Sequence, residues 1–244
     1  MKRAGAIDAL HARMTVDALP QQGAGFRQRI VDDIVAGRLS FGARVTIDSL
    51  AERYGTSHMP IREALRELRG EGLVLIERNR GARIRPIDRD FVDCMFDTRG
   101  ALEIMLTRRA AARRSDAACD ELASIEDALE QHVRDKDPAR VHDANRRFHH
   151  ALYLAAHNPD ALAMIKRYWM INAALWQRYG YAPERFAGMV QDHRHLLRAI
   201  RERDVDAAVA IIAAHVAKAK QELLARIAKD PARLGDLTLL SDAS

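Results

Sequence analysis

The fold of the N-terminal part is decided by residues 46–73, which read TIDSLAERYGTSHMPIREALRELRGEGL. Thr46 is a suitable N-cap for a short helix over 47–54, and the glycine that follows would end this helix. Ser57 can cap a further helix from 58 to about 69, in which a proline falls in the tolerated first turn. The stretch therefore predicts two helices joined by a tight turn.

The flanking residues extend this pair into a larger unit. Upstream, apolar residues recur at helical spacing between 26 and 35 and predict a first helix. Downstream, the runs 73–78 and 82–85 are joined by Asn79-Arg80-Gly81, which predicts a β-hairpin. This order of elements is that of a winged helix-turn-helix, which we place at residues 23–87.

In such a unit the last helix enters the major groove, and the hairpin reaches a neighbouring minor groove. An arginine on that helix can donate two parallel hydrogen bonds to guanine, and a serine can contact a phosphate or a base edge. The predicted DNA contacts are Thr46, Ser57, His58, Arg62, Arg66, Arg80 and Gly81. The alternative is a solvated helix surface followed by an exposed hairpin.

The charge of the chain agrees with a nucleic-acid partner at this end. Residues 24–86 hold twelve Arg against eight Asp and Glu, a net +4 out of +5 for the whole chain. No run approaches the roughly 18 apolar residues of a spanning helix, and the N-terminus lacks a secretory apolar block, so we expect no membrane association. Two cysteines argue against a disulfide scaffold and favour a cytoplasmic location.

One pattern runs through the same region: Gly37-Arg38-Leu39, Gly42, Leu50 to Ser57, Pro60 to Leu65, Leu68 and Glu71-Gly72-Leu73. It resembles the DNA-binding domain of the GntR family of bacterial transcription regulators. The resemblance implies a homodimer that binds a short palindromic operator. His58 stands where the family usually has arginine, and an imidazole reaches less far than a guanidinium.

The remainder of the chain predicts an all-helical domain at residues 90–229. Helical periodicity recurs over 90–113, 116–135, 138–157, 160–179, 184–202 and 205–228. Residues 1–22 and the tail 230–244 lack periodicity, so we expect both to be mobile. The predicted fold class is mainly α, with a winged helix-turn-helix followed by a helical bundle, and pockets form between the helices of bundles.

Several polar side chains fall on the apolar faces of these helices, where nonpolar residues are expected. They are Asn145, His149, His193 and His215, together with Arg99 and Asn172. Three imidazoles and an amide oxygen can converge on one divalent ion, such as zinc, nickel or manganese. The alternative is a set of hydrogen-bonded core histidines without a metal. We interpret the other histidines of this domain that fall on different faces or at loop ends as surface residues: His142, His150, His157 and His195.

A second pattern consists of Phe96 to Glu103, Asn145 to His149, Asp192-His193-Arg194, and His215. It is similar to the ligand-sensing FCD domain of the FadR branch of GntR regulators, in the shorter, six-helix form of the vanillate regulators. The resemblance implies a divalent metal held by Asn145, His149, His193 and His215. The family often has Asp at the first of these positions, so this chain lacks one negative charge there.

These features predict a metabolite-responsive regulator of transcription, more specifically a repressor, and not an enzyme. A small organic acid would bind at the metal through its carboxylate and pair with Arg99, with Asn172 as a further contact. One alternative keeps the DNA binding but makes the metal purely structural or the effector pocket metal-free. A remote alternative is a metal-dependent hydrolase, which needs a carboxylate base that the histidine face lacks.

Overall fold

A computed structural model of the chain describes residues 22–77, 81–181 and 183–230. The two terminal segments that we expect to be mobile lie almost entirely outside these residues. Asn79 and Arg80 of the hairpin turn also lie outside them.

The N-terminal unit is a winged helix-turn-helix, as the sequence predicts. Its elements are α1 (Gln22–Val35), β1 (Arg44–Val45), α2 (Ile47–Tyr54), α3 (His58–Gly70), β2 (Val74–Glu77) and β3 (Gly81–Ile84). β3 lies between β1 and β2 in an antiparallel sheet, with Arg44 opposite Arg83 and Val74 opposite Ile84. The sequence did not predict β1, because a strand of two residues has no readable alternation.

Apolar side chains from all three helices of this unit meet the hairpin in one core. Ile30 of α1, Leu50 of α2, Ile61 and Leu68 of α3, and Ile84 of β3 are buried to within 1% of their surface. Burying a side chain of this size contributes about 1.5–3 kcal/mol relative to leaving it exposed. The core therefore holds α3 firmly against the rest of the unit.

Helix ends in this unit follow local signals in the sequence. The Thr46 hydroxyl accepts a hydrogen bond from the Ser49 N–H, and the Ser49 hydroxyl accepts one from the Thr46 N–H. This pair forms a capping box at the start of α2. Gly55 ends α2 with a φ of 64°, a left-handed conformation that favours glycine. Ser57 is the N-cap of α3, but its side chain makes no capping hydrogen bond.

The second unit is a helical bundle whose bounds lie within a few residues of the predicted ones. Its helices are α4 (Arg89–Arg113), α5 (Asp116–Arg134), α6 (Pro138–Leu154), α7 (Pro159–Tyr179), α8 (Pro183–Glu202) and α9 (Val205–Lys229). α6 ends before the predicted residue 157, because the chain leaves the helix in a turn and His157 adopts a φ of 49°. No helix in the described ranges is long and apolar enough to cross a membrane.

The two units touch where α1 packs against α7. Close by, the guanidinium of Arg167 on α7 lies against Gly72, so that a Cβ on Gly72 would fall 2.5 Å from Nη2 of Arg167. Gly72 also has a φ of +71°, which disfavours any side chain. One wall of the helical bundle is therefore in direct contact with the residue that precedes the hairpin.

Candidate nucleic-acid interface and metal centre

The exposed side of α3 borders a groove that runs towards the hairpin. Arg62, Arg66 and Arg69 are exposed and line this groove together with Thr46 and Gly81. The Thr46 hydroxyl is already engaged in the capping box. The arginines place three guanidinium groups on one side of α3, which suits contacts with base edges and phosphates.

Neighbouring groups constrain the other predicted DNA contacts. Nε2 of His58 lies 3.1 Å from Oδ1 of Asp48 on α2, and both side chains are largely exposed. Asp48 thus orients the imidazole of His58. Gly81 has a φ of +83°, and a Cβ there would lie 3.2 Å from the carbonyl oxygen of Val45. Arg80 lies outside the described residues, and its contact stays a prediction.

Three histidines from three helices meet inside the bundle. His149 lies on α6, His193 on α8 and His215 on α9, and their ring centroids are 5.1–5.2 Å apart. One nitrogen of each ring lies within 4.8 Å of the others, and all three side chains are buried. Phe148 stacks on His193 with a centroid separation of 4.2 Å, which limits rotation of that imidazole. The cluster has the composition and spacing of a site for one transition-metal ion.

Each imidazole has an oxygen near its Nδ1 atom that does not belong to the cluster. The pairs are His193 with Glu126 at 2.8 Å, His215 with Asp192 at 3.2 Å, and His149 with the Tyr153 hydroxyl at 3.3 Å. With Glu126 ionised, as a nearby bound cation would favour, these oxygens act as acceptors and favour the tautomer that carries its proton on Nδ1. The Nε2 lone pairs are then available to a metal ion.

Burial keeps the three imidazoles neutral. It lowers the pKa of His193 to about 3 and that of His215 to about 4. It also lowers the pKa of His149 well below the usual value, and the two neighbouring imidazoles add to this effect. Metal coordination requires neutral imidazole, so the cluster is in the protonation state that binds an ion. Burial raises the pKa of Glu126 to about 8, a shift that a cation bound at His193 would oppose.

Asn145, one turn before His149 on α6, offers a fourth candidate ligand. Its Oδ1 atom is buried, and neither this oxygen nor Nε2 of His193 has a hydrogen-bond partner among the described residues. A buried polar atom without a partner costs about 1–3 kcal/mol, which a bound ion would offset. The donor set of three imidazoles and one amide oxygen fits a divalent metal of intermediate softness.

A small cleft with a cavity volume of about 40 Å³ lies over the histidines and is partly open to solvent. Its lining includes Asn145, His149 and His215, and the two predicted effector contacts, Arg99 and Asn172. The structure therefore brings most of the residues singled out in the helical domain to one place. Residues from several helices form the wall, so a ligand there would contact α4, α6, α7, α8 and α9 at once.

Arg99 is buried and paired with Glu103, which lies one turn further along α4, a spacing at which opposite charges on a helix meet. Its Nε donates to Oε1 of Glu103 at 2.9 Å, and the Tyr153 hydroxyl donates to Oε2 of Glu103 at 2.6 Å. Nη1 of Arg99 and Oδ1 of Asn172 are buried without a hydrogen-bond partner in the part of the chain described. Nη1 of Arg99 and Oδ1 of Asn172 thus remain for a ligand.

Sequence reasoning missed two further residues of the cleft. His142 was interpreted as a surface residue, but it lines the cleft, and its Nδ1 lies 2.8 Å from the Tyr181 hydroxyl. Arg185 lines the cleft as well. The signal was available: both precede a cluster histidine on the same helix by about two turns and so share its face. Glu126 offered no such signal, because α5 contributes nothing else to the cluster.

Comparison with known proteins gives two family matches and several relatives. Residues 23–84 match the bacterial regulatory proteins of the gntR family, and residues 94–218 match the FCD domain. The chain is 27% identical over 227 residues to the galactonate operon transcriptional repressor of Escherichia coli (strain K12), which covers 84% of this chain and 93% of that protein. It is 32% identical over 157 residues to the probable D-xylose utilization operon transcriptional repressor of Paenarthrobacter nicotinovorans, covering 64% and 67% respectively.

A solved structure supports the same fold. E. coli McbR/YncC superposes with a TM-score of 0.70 at 21% sequence identity, over 86% of this chain and 98% of that chain. The likeness spans both units, so the order of winged helix-turn-helix and helical bundle is shared.

Proposed function

Because the chain belongs to the GntR family of bacterial regulatory proteins and carries an FCD domain, it is a DNA-binding regulator of transcription, and we propose that it is a repressor controlled by a small organic acid. Its relatives are regulators, which removes the hydrolase alternative. The single observation that carries the effector proposal is the neutral three-histidine cluster beneath a cleft walled by arginines.

On the DNA side, α3 would lie in the major groove and the hairpin would reach the neighbouring minor groove. One winged helix covers one half-site, so a palindromic operator is bound by a homodimer. The three exposed arginines of α3 supply base-edge and phosphate contacts, and the Ser57 hydroxyl, unused by the helix cap, supplies another. Together these contacts account for sequence-dependent binding.

On the sensing side, His149, His193, His215 and Asn145 would hold one divalent metal ion. When bound, the ion supplies a positive charge that attracts a carboxylate. Arg99 would orient that carboxylate through its remaining N–H, and Asn172 would accept a hydrogen bond from a hydroxyl of the ligand. The name of one relative, a galactonate operon repressor, supports an organic acid as the effector class.

The test measures operator affinity against carboxylate concentration. A duplex selected from a random library with the purified protein serves as the operator, and fluorescence anisotropy gives its dissociation constant with Zn²⁺ or with chelator. A carboxylate that changes this constant by about fivefold or more only in the Zn²⁺-loaded protein supports the proposal. His149→Ala removes this response, and the exposed control His195→Ala retains it.

Two other outcomes distinguish the alternatives. If carboxylates change operator affinity equally with chelator present, the effector pocket is metal-free. If chelation lowers the melting temperature but no carboxylate changes operator affinity, the metal is structural and the sensing proposal is wrong.

A further inference from the structure

The wall of the cleft over the histidines carries an excess of positive charge. Within the described residues its side chains include Arg99, Arg146 and Arg185, and no Asp or Glu. The carboxylates that pair with these arginines do not line the cleft. A ligand in the cleft therefore meets cationic and neutral groups only, which favours an anion.

The ion pair of Arg185 is longer than that of Arg99, the other cleft arginine whose side chain has little exposure. Its side chain is 9% exposed, and its Nε lies 3.4 Å from Oε2 of Glu222. Glu222 is shared with Arg226, whose Nε lies 3.3 Å from Oε1. By contrast, Nη2 of Arg99 lies 2.8 Å from its own carboxylate, Oε1 of Glu103. One carboxylate thus serves two guanidinium groups on this side of the cleft.

Arg99 and Arg185 each have one donor atom without a hydrogen-bond partner in the described part of the chain, although Nε of Arg185 also faces Glu222 in the ion pair. Nε of Arg185 and Nη1 of Arg99 are buried, and neither has a hydrogen-bond partner within the ranges described. The two donors come from different helices, α8 and α4. A ligand that satisfies both must present acceptors in two directions.

The positive charge around the cleft favours a ligand with more than one negative charge. Burial lowers the pKa of Arg185, attraction by Glu222 and Asp192 opposes this, and repulsion by Arg99 adds to the lowering. All four proposed metal ligands, three imidazoles and the amide of Asn145, are uncharged in this state. The charge of a divalent ion would therefore add to that of the arginines without being neutralised by its ligands.

Resting on the proposed function, we infer that the effector is a small dicarboxylate and that Arg185 binds its second carboxylate. The first carboxylate faces the histidines and Nη1 of Arg99. The second accepts the unpartnered N–H of Arg185, in a charge-assisted hydrogen bond stronger than one between neutral groups. Arg146, whose side chain is 56% exposed and paired with Asp143, contributes attraction at the mouth of the cleft.

Calorimetric titration of the full-length, Zn²⁺-loaded protein tests this inference. The probes are malonate, succinate and glutarate, each paired with its monoamide, which has nearly the same size and one negative charge fewer. We expect at least one diacid to bind about tenfold or more tightly than its monoamide, because a charge-assisted hydrogen bond contributes that much. Arg185→Gln should remove this difference in affinity, because it weakens binding of the diacid and leaves binding of the monoamide unchanged.

Matched variants separate charge from packing. Arg185→Lys keeps a positive charge and should keep a preference for the diacid, and it replaces Arg185→Gln as the deciding variant if the glutamine variant does not fold. Arg198→Gln removes an exposed arginine of the same helix and should leave both affinities unchanged.

Three outcomes would contradict these expectations. Equal affinity of every diacid and its monoamide overturns the inference while the proposed function stands. An equal loss of diacid and monoamide binding in Arg185→Gln also overturns it, since the role is then packing. If no carboxylate binds, the proposed effector control fails with it.

Discussion

Nδ1 of His193 lies 2.8 Å from Oε2 of Glu126, and both side chains are completely buried. This contact leaves Nε2 of His193, which has no partner among the described residues, available to a ligand. Glu126 comes from α5, a helix that contributes no other group to the histidine cluster. It is therefore a positioning residue for the candidate metal centre.

Replacing Glu126 should weaken metal binding without touching a ligand. We expect Glu126→Leu to reduce Zn²⁺ affinity by about 10–100-fold, because the imidazole loses the acceptor that fixes its tautomer. Glu126→Gln should lose less, since its amide oxygen can still accept the Nδ1–H hydrogen bond. Competition with a chromophoric chelator measures both constants. Glu130→Gln, on the same helix, is the control, and an equal loss in that variant would contradict the assignment.

Asp33 should make the DNA-binding unit sensitive to acid. Its buried carboxylate accepts hydrogen bonds from Nε of Arg38 at 2.6 Å, Nε of Arg53 at 2.8 Å and the Tyr54 hydroxyl at 2.9 Å. Burial raises the pKa of Asp33, but these hydrogen bonds together outweigh it and lower the pKa below its usual value of 3.8. Because the folded state favours the ionised form, the stabilisation is present above pH 3.8 and is lost as the pH falls through the lowered pKa.

We therefore expect Asp33→Asn to lower the free energy of unfolding near pH 7 by about 1–3 kcal/mol and to flatten its decrease in acid. Urea unfolding between pH 3 and pH 7 measures both effects. The adjacent exposed Asp32 provides the control, Asp32→Asn. If the free energy of unfolding of Asp33→Asn falls with decreasing pH as steeply as that of the unchanged protein, other carboxylates dominate the acid response.

Arg62 should determine operator recognition more than the other arginines of α3, because it lies nearest the N-terminus of that helix. Arg62→Ala should weaken binding to the selected operator by about 1–3 kcal/mol, and binding to a random duplex by less. Anisotropy titrations at several salt concentrations separate the two effects. Arg140→Ala changes an exposed arginine of α6 and should leave both constants unaltered. Equal losses on both duplexes would mean that Arg62 contacts phosphate only.

Gly72 should be sensitive to substitution through its backbone conformation. Gly72→Ala places a side chain at a φ of +71°, which we expect to lower the free energy of unfolding by about 1–2 kcal/mol. The nearby atoms belong to the flexible end of Arg167, which can move aside. The same loss should therefore appear when Gly72→Ala is added to Arg167→Ala in a urea unfolding experiment. If Gly72→Ala causes no loss in the Arg167→Ala variant, the contact with Arg167 is decisive and the backbone conformation is not. Gly70→Ala, with open space around it, is the control.

Local signals were enough to predict the winged helix-turn-helix and the bounds of the bundle helices. Capping residues and glycines act within one turn of the chain, so Thr46 and Gly55 carry their meaning in the sequence itself. Two features were not predicted, because the local signal for each was weak or absent. The strand β1 is too short to show alternation, and the end of α6 depends on a non-glycine residue in a left-handed conformation, His157.

The candidate metal centre was predictable only in part. His149, His193 and His215 stood out because each interrupts an apolar helix face, and the resemblance to the FCD domain grouped them. The carboxylate behind His193 did not stand out, since Glu126 looks like an ordinary surface residue in a sequence with 30% charged residues. His142 was misinterpreted for a related reason, because its face of α6 becomes interior only when α8 and the Tyr181 segment pack over it.

The sequence by itself determined the order of elements, the DNA-binding unit and the histidines that share inward helix faces, because periodicity and caps depend on residues a few positions apart. The tertiary structure alone decided which side chains meet across helices. It placed Glu126 against His193, joined the Tyr153 hydroxyl of α6 to Glu103 of α4, and brought Arg185 into the cleft. These contacts depend on how the helices pack, and no local pattern in the chain specifies the packing partner of a buried charge.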